Sequence, residues 1–370
     1  MKVLVIHNSY KLLGGEDTVF NQEVKAYEEL GYQVMTFHKS NRDLSFFDLF
    51  FCFWNPRPYF KIRRLVKRFK PDIVHVHNFI FKLSPSIFWA INKNARVYIT
   101  IHNYRFLCPS GTLFINGRVD LSSKSYLGLL KNILKGVFQK SIFKTALLAF
   151  IFKFNEAIGS FKRINHFIFL TPFSRDLHVE WKKSMFSKHL IKPNFSTAIN
   201  IEAISSVIDI IFVGRISEEK GLATVLPVLS KHHGLTIAIV GEGPDFEKLK
   251  AQYKQCSHIK FHGKQSHINT ITLLQKSKFL LFPSIWYEGM PMTIIESFSL
   301  GKPIIAYNFG AMKTMIKHNF NGLLYSSNQE LEEILKNFGR IDYNKLTKNA
   351  KLEFESKYNK RIGLENLNKL

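Results

Sequence analysis

The sequence predicts an α/β protein of two facing Rossmann-like domains, each built on a parallel sheet, with a cleft between them. Three observations carry that prediction. At 370 residues the chain is too long for one ordinary core. Apolar runs of strand length alternate with helical patterns. The same strand-then-helix grammar also starts twice, once at the N-terminus and again after residue 207.

The first series of strands is Val3 to Ile6, Ile73 to Val76 and Val97 to Ile101, with "INHFIFLT" as a fourth near residue 168. Strands separated by helices make a parallel sheet with right-handed crossovers, which binds ligands at the carboxyl ends of its strands. The opening "MKVLVIHNSY" has an apolar run of only about five residues and no small-residue cleavage site, so it reads as a strand and not as a signal peptide. The second series is "DIIFVGR", "LTIAIVGEG", "IKFHGK", "KFLLFPS" and "KPIIAYN". Between the two series lies "IKPNFSTAINIEAISSV", which has no strong period, and the boundary is placed near 195 to 207. The expected domains are therefore 1–195 and 196–345. A charged helical pattern from about Asn344 closes the chain, and 346–370 is expected to pack back toward the first domain.

A hydrophobic content of 46% with 35 Phe is ample for two cores. Cys52, Cys108 and Cys256 are scattered and lack C-x-x-C spacing, which fits a reducing cytoplasm better than a disulfide framework. A net charge of +24 points to an anionic partner, although an AT-rich genome enriches Lys without selection for binding. Clusters are more informative than the total. "RPYFKIRRLVKRFK", Arg57 to Lys70, follows directly on the aromatic "FFDLFFCFW"; Ser123 to Phe154 interleaves Lys with apolar residues. Lys144 and Lys153 bracket the longest apolar candidate, well short of the roughly 18 residues of a spanning helix. The chain is expected to touch a membrane without crossing it.

Chemistry concentrates in "YEGMPMTIIE", Tyr287 to Glu296. Pro291 suits the first position of a helix, because its missing N–H would be unbonded there anyway. Glu288 then lies in the loop before that helix and Glu296 on its flank. Thr293, Glu296 and Ser297 at i, i+3, i+4 spacing also fit the wet stripe of an amphipathic helix. The preceding "KFLLFPSIW" reads as a buried strand and a loop, and a carboxylate beside it is costly unless hydrogen-bonded, as a bound polyol would do. Other strand ends carry Gly14 and Gly15, His77, His102, Gly214 and Arg215, Lys220 and Gly221, the "GEG" of Gly241 to Gly243, and Gly263 with Lys264. A glycine pair before a helix admits a phosphate to backbone N–H groups, and Arg215 with Lys220 adds two cations, which suggests a diphosphate site. "GEGP" lacks the third glycine of a dinucleotide fingerprint. His75 and His77 share a strand face but no carboxylate pair or Cys cluster accompanies them in sequence, so His75 reads as a satisfied, partly buried histidine. Aspartates at i, i+2 spacing occur nowhere in the chain, so leaving-group charge falls to Arg215, Lys220 and helix termini, with no metal required.

These residues resemble the family-4 glycosyltransferases, which have the GT-B architecture of two facing Rossmann-like domains. "FVGRISEEKGL", "VGEGP", "FPSIWYEGMPMTIIESFSLGKPIIA" and "NGLLY" stand in that family's order, including the E-x7-E pair Glu288 and Glu296. "GGED", "HVHN" and "TIHNYRFLCPSGTLF" look like a bacterial polysaccharide-building branch. The resemblance implies that Arg215 and Lys220 bind the diphosphate of a nucleotide-sugar donor, with Gly14 and Gly15 closing over it from the other domain. It gives Glu296 the ribose hydroxyls and Glu288 the hydroxyls of the transferred sugar, with backbone help from Gly289, Met290 and Pro291. His102 would sit beside the reacting carbon and acceptor. Two departures are visible: Thr314 stands where many relatives carry Glu, and 121–163 has no counterpart that the resemblance supplies.

The resulting expectation is a metal-independent, anomer-retaining glycosyltransferase that moves a sugar from a nucleoside diphosphate, preferably UDP over GDP, to a growing surface glycan, as in capsule or O-antigen synthesis. Its partners would be the donor, a glycan or lipid-linked acceptor and an anionic membrane surface, with no nucleic acid. It would be cytoplasmic and peripheral at the inner face of the membrane. Two alternatives remain. A nucleotide-sugar epimerase would share the donor contacts but needs further acid/base groups. A non-enzymatic basic protein explains the charge but not Glu288, Glu296 and the glycine loops.

Overall fold

A computed structural model describes residues 1–10, 14–199 and 206–370; residues 200–205 of the expected linker lie outside these. The chain forms two compact units. The first comprises Met1–Leu113, Asp120–Asn194 and Gly363–Leu370, the second Phe114–Val119 and Phe195–Ile362.

In chain order the strands up to residue 191 are β1 (Lys2–Ser9), β2 (Gln33–Ser40), β3 (Ile73–Val76), β4 (Arg96–Ile101), β5 (Phe114–Ile115), β6 (Arg118–Val119), β7 (His166–Phe169) and β8 (His189–Ile191). The first unit's sheet has six strands in the order β2-β1-β3-β4-β7-β8, and every pair in it is parallel. Val3 to Ile6 on β1 and Ile73, Val74 and Val76 on β3 are fully buried, as central strands covered on both faces must be. β5 and β6 form a separate antiparallel hairpin.

The second unit adds β9 (Ile208–Val213), β10 (Ile237–Val240), β11 (Ile259–Gly263), β12 (Ser277–Phe282), β13 (Ile304–Tyr307) and β14 (Gly322–Tyr325). They form a parallel sheet in the order β11-β10-β9-β12-β13-β14. Ile210 and Phe212 of β9 pack with Phe279 and Leu281 of β12 and with Leu226, Leu229 and Leu331 of the covering helices. Strand order reverses between β9 and β12 here, and between β1 and β3 in the first unit. Loops leaving neighbouring strands at such a point diverge to opposite faces and leave a crevice at the carboxyl edge.

The basic run Arg57 to Lys70 is a helix, Pro56–Phe69, capped by the Asn55 side chain. Pro58, Ile62, Val66 and Phe69 are its buried face, while Arg57, Lys61, Arg63, Arg64, Lys67 and Arg68 are exposed. Among the described residues no helix is long and apolar enough to cross a membrane.

The "GEG" glycines answer to packing. Gly241 has φ +136°, and a Cβ there would lie 1.8 Å from the Gly214 carbonyl oxygen; one on Gly243 would lie 2.2 Å from that of Ile216. The loops after β9 and β10 therefore touch backbone to backbone. Gly241→Ala should lower stability in urea by more than about 2 kcal/mol, whereas Gly234→Ala, which meets nothing within 4 Å, should cost less than about 0.5 kcal/mol. Equal, small losses would contradict this packing.

Candidate active site

The carboxyl edges of β9 and β12 hold the second unit's polar cluster. Glu288, in the loop after β12, is 6% exposed. Its Oε1 accepts from Ser284 Oγ at 2.5 Å and from the Lys220 ammonium at 2.7 Å. Such contacts offset the cost of burying a carboxylate. Lys220 comes from the loop after β9 and also lies over the Trp286 ring, 5.2 Å from its centroid. A short 3₁₀ turn, Glu218–Lys220, aims it. Gly221 ends that turn at φ +70°, with the Pro283 carbonyl oxygen 2.0 Å from where a Cβ would be. Only glycine lets the two loops approach so closely. The Ile285 N–H donates to the Glu219 carbonyl at 3.0 Å, tying them together again. Arg215 is exposed on the same loop as Lys220.

The helix after the loop is Met292–Ser299, with Pro291 as its N-cap, so it starts one residue later than the sequence suggests. Gly289, Met290 and Pro291 lead into it. Glu296 stands on its flank, 17% exposed in its side chain, with His267 Nε2 2.9 Å from Oε1. The wet-stripe alternative fails: Ser297 is fully buried and donates to the Lys302 carbonyl, and Thr293 is half-buried.

In the first unit Gly14 caps the helix Gly15–Glu29. Its N–H donates to Asp17 Oδ2 at 2.8 Å, and Asp17 Oδ1 lies 2.9 Å from His7 Nε2. A Cβ on Gly14 or Gly15 would meet nothing within 4 Å, so these glycines keep open the space over the helix N-terminus. His102, just past β4, has Nε2 3.1 Å from His77 Nδ1. Burial, with His7 and Lys192 nearby, pushes His102 down to about 3, so its imidazole is neutral at pH 7. His102 lines a small, partly open hollow with Tyr10, Glu16, His77, Asn103 and Arg105. Burial raises the Glu16 carboxyl to about 8 in spite of Arg105.

The histidine strand requires a correction. His75 is fully rather than partly buried, held by Tyr27 Oη at 3.0 Å and Thr100 Oγ1 at 2.8 Å. A carboxylate does accompany the pair: Glu23 Oε2 lies 3.4 Å from His75 Nδ1 and 3.6 Å from His77 Nε2. Sequence spacing missed it because Glu23 comes from the helix 50 or so residues upstream, a contact only the fold creates. The available clue was its place inside the apolar stripe Val19, Phe20, Ala26 and Tyr27. The donor atoms of Glu23, His75 and His77 lie within 4.8 Å of one another, and those of His7, Asp17 and His38 do likewise. On Glu23 the counter-charge is already the ammonium of Lys192. Ser284, His267 and Lys192 are the other site residues that sequence reasoning passed over.

Two parallel α/β units with polar residues gathered where strand order reverses define a protein of GT-B type. A glycosyltransferase from Rickettsia africae matches all of this chain and 97% of its own, with a TM-score of 0.71 at 17% identity. Anabaena HepE, solved in complex with UDP and glucose, matches all of both chains with a TM-score of 0.66 at 16% identity. Family models described as "Glycosyltransferase Family 4" and "Glycosyl transferases group 1" match residues 13–181 and 198–353. The chain belongs to the family-4 glycosyltransferases. A curated Escherichia coli relative, UDP-Gal:alpha-D-GlcNAc-diphosphoundecaprenol alpha-1,3-galactosyltransferase, is 34% identical over 94 residues, 24% of each chain. The chain spans about half or less of the length of the curated relatives it matches.

The Lys220–Glu288 contact generates a stability prediction. Lys220→Met leaves Glu288 buried without its cation and should cost about 1–3 kcal/mol in urea unfolding. Adding Glu288→Gln should recover part of the loss, with a coupling of at least about 0.5 kcal/mol. Additive losses would show the pair to be incidental.

Proposed function

We propose that the protein is a metal-independent, retaining glycosyltransferase that moves a sugar from a nucleoside-diphosphate sugar, UDP-linked by preference, to a growing lipid-linked glycan at the cytoplasmic membrane surface. The observation that carries this reading is the meeting of Lys220 and Glu288 at the crevice between β9 and β12, with Arg215 exposed on the same loop as Lys220. A cation pair and a buried carboxylate at one strand-end crevice suit a diphosphate joined to a polyol. The UDP in the HepE complex and the UDP-galactose and diphosphoundecaprenol in the name of the E. coli relative agree in chemistry.

In this reading Arg215 and Lys220 hold the diphosphate, and a donor phosphate competes with Glu288 for the Lys220 ammonium. That exchange frees Glu288 to accept from sugar hydroxyls. Glu296 accepts from the ribose, and the loop Gly289 to Pro291 offers backbone groups. Gly14 and Gly15 leave space at a helix N-terminus in the first unit, which suits an anionic group. His102 serves the acceptor as a neutral imidazole. The bond from the anomeric carbon to the phosphate oxygen breaks while a bond to the acceptor oxygen forms on the same face. The acceptor proton goes to the departing diphosphate, whose charge the two cations stabilise. With no Asp-x-Asp in the chain, these cations take the part that a divalent ion plays elsewhere.

Membrane attachment rests on exposure. Phe46, Phe50 and Phe60 are 84%, 61% and 64% exposed, beside the basic face of Pro56–Phe69. Phe46 and Phe50 are therefore not core, while Cys52 of the same segment is fully buried. Phe53 stacks edge-on with Phe150 and Phe154, joining it to the helix Ile142–Ala157, where Phe143 is also exposed. Aromatics at headgroup depth with cations around them suit an anionic interface.

Two outcomes are expected. Arg215→Ala and Glu296→Gln should each weaken UDP binding by about 1.5–3 kcal/mol, read by calorimetry, while Glu288→Gln spares UDP and lowers turnover. Wild-type transfer should survive EDTA. Unchanged UDP affinity in the first two variants, or a turnover lost to EDTA, contradicts the donor assignment. For the membrane, sedimentation with vesicles should require anionic lipid and fail when Arg63, Arg64, Lys67 and Arg68 are all changed to Glu, since each cation contributes about 1 kcal/mol. Binding indifferent to both contradicts docking through this face.

A further inference from the structure

Beneath His102 lies a chain of buried polar groups that the transfer reaction does not use directly. Glu23 is fully buried. Its Oε1 takes the ammonium of Lys192, itself 2% exposed. Among the described residues its Oε2 has no hydrogen-bond partner, and neither has His77 Nε2, 3.6 Å away. His75, the other ring beside Oε2, is already engaged at both nitrogens, by Tyr27 and Thr100.

Two buried acceptors at that distance repel and both go unsatisfied, whereas an N–H on His77 Nε2 places a positive hydrogen, not a second lone pair, near the carboxylate oxygen 3.6 Å away. The proton of a neutral His77 therefore resides on Nε2. Its Nδ1 is then a bare acceptor, and the His102 Nε2 that lies 3.1 Å from it must donate. A neutral His102 that carries its proton on Nε2 has none on Nδ1.

We propose that Glu23 is a positioning residue: acting through His77, it fixes His102 as the Nε2–H tautomer, so that His102 offers the acceptor sugar a hydrogen-bond acceptor at Nδ1 and never a donor. Lys192 keeps Glu23 in place for this task. The consequence is a specificity rule. Nδ1 of His102 selects a group that donates a proton, such as a free hydroxyl, and rejects one that can only accept. This deepens the sugar-transfer reading and rests on its assignment of His102 to the acceptor.

The test uses the intact chain labelled with ¹⁵N-histidine. Long-range proton–nitrogen correlation at pH 7, without substrates, should show His77 and His102 each protonated on Nε2. A His102 protonated on Nδ1 overturns the inference and leaves sugar transfer itself untouched. Conversely, the expected tautomer in a chain that transfers no sugar defeats only the functional reading. Glu23→Gln alone would strand the Lys192 ammonium, so it is combined with Lys192→Met. This double variant should show the Nδ1–H form of His102 alongside the other, with kcat lowered at least about 10-fold and donor KM unchanged. A folded double variant that keeps the single tautomer and the wild-type kcat overturns the role of Glu23.

Discussion

A carboxylate buried at the edge of a parallel sheet needs hydrogen-bond donors or a cation, and in this protein Glu288 is met by the Lys220 ammonium. Much of the second unit follows from that requirement. The cation has to come from the loop of an adjacent strand, and only where strand order reverses do neighbouring loops diverge enough to leave a crevice between them. β9 and β12 are those strands. Gly221, at φ +70° against the Pro283 carbonyl, is what lets the loops close to ion-pair distance. Gly241 and Gly243 then hold the β9 loop from its other side.

The first unit solves the same problem with a different cast. Glu23 is buried under its strand ends and is met by Lys192, and three histidines, His75, His77 and His102, lie between that pair and the hollow beside Arg105. Burial holds all three rings neutral, with His75 and His77 well below the usual imidazole range. The charge therefore stays at the bottom of the ladder, and only a hydrogen-bonding preference reaches the top. In the second unit the ion pair stands at the strand-end crevice itself, where, in the proposed reading, a diphosphate competes for the ammonium.

Central strands were legible because burial on both faces demands an unbroken apolar run, as in Val3 to Ile6 and Ile304 to Ala306. The edge strands β2 and β8 were not, because "QVMTFHKS" and "HLI" are half-exposed and carry no such run. The placement of Glu288 in the loop before a helix and of Glu296 on that helix was legible from their spacing around Pro291. Glu23 and Lys192 were missed because 169 positions separate them and only the fold brings them together. Ser284 lay in plain view in a Pro-Ser loop, but a single hydroxyl has no pattern until its carboxylate is placed beside it. The exposed aromatics Phe46 and Phe50 could not be told from core residues by composition, since the same side chains serve both.

The central claim is that the loops after β9 and β12 act together as the donor site. Hydrogen–deuterium exchange of the wild-type chain with and without saturating UDP tests it directly, because a ligand that binds the folded state slows the local opening of the segments it holds. The account predicts protection confined largely to residues 214–221 and 284–297. Protection that spares both segments, or that falls on only one of them, would contradict it.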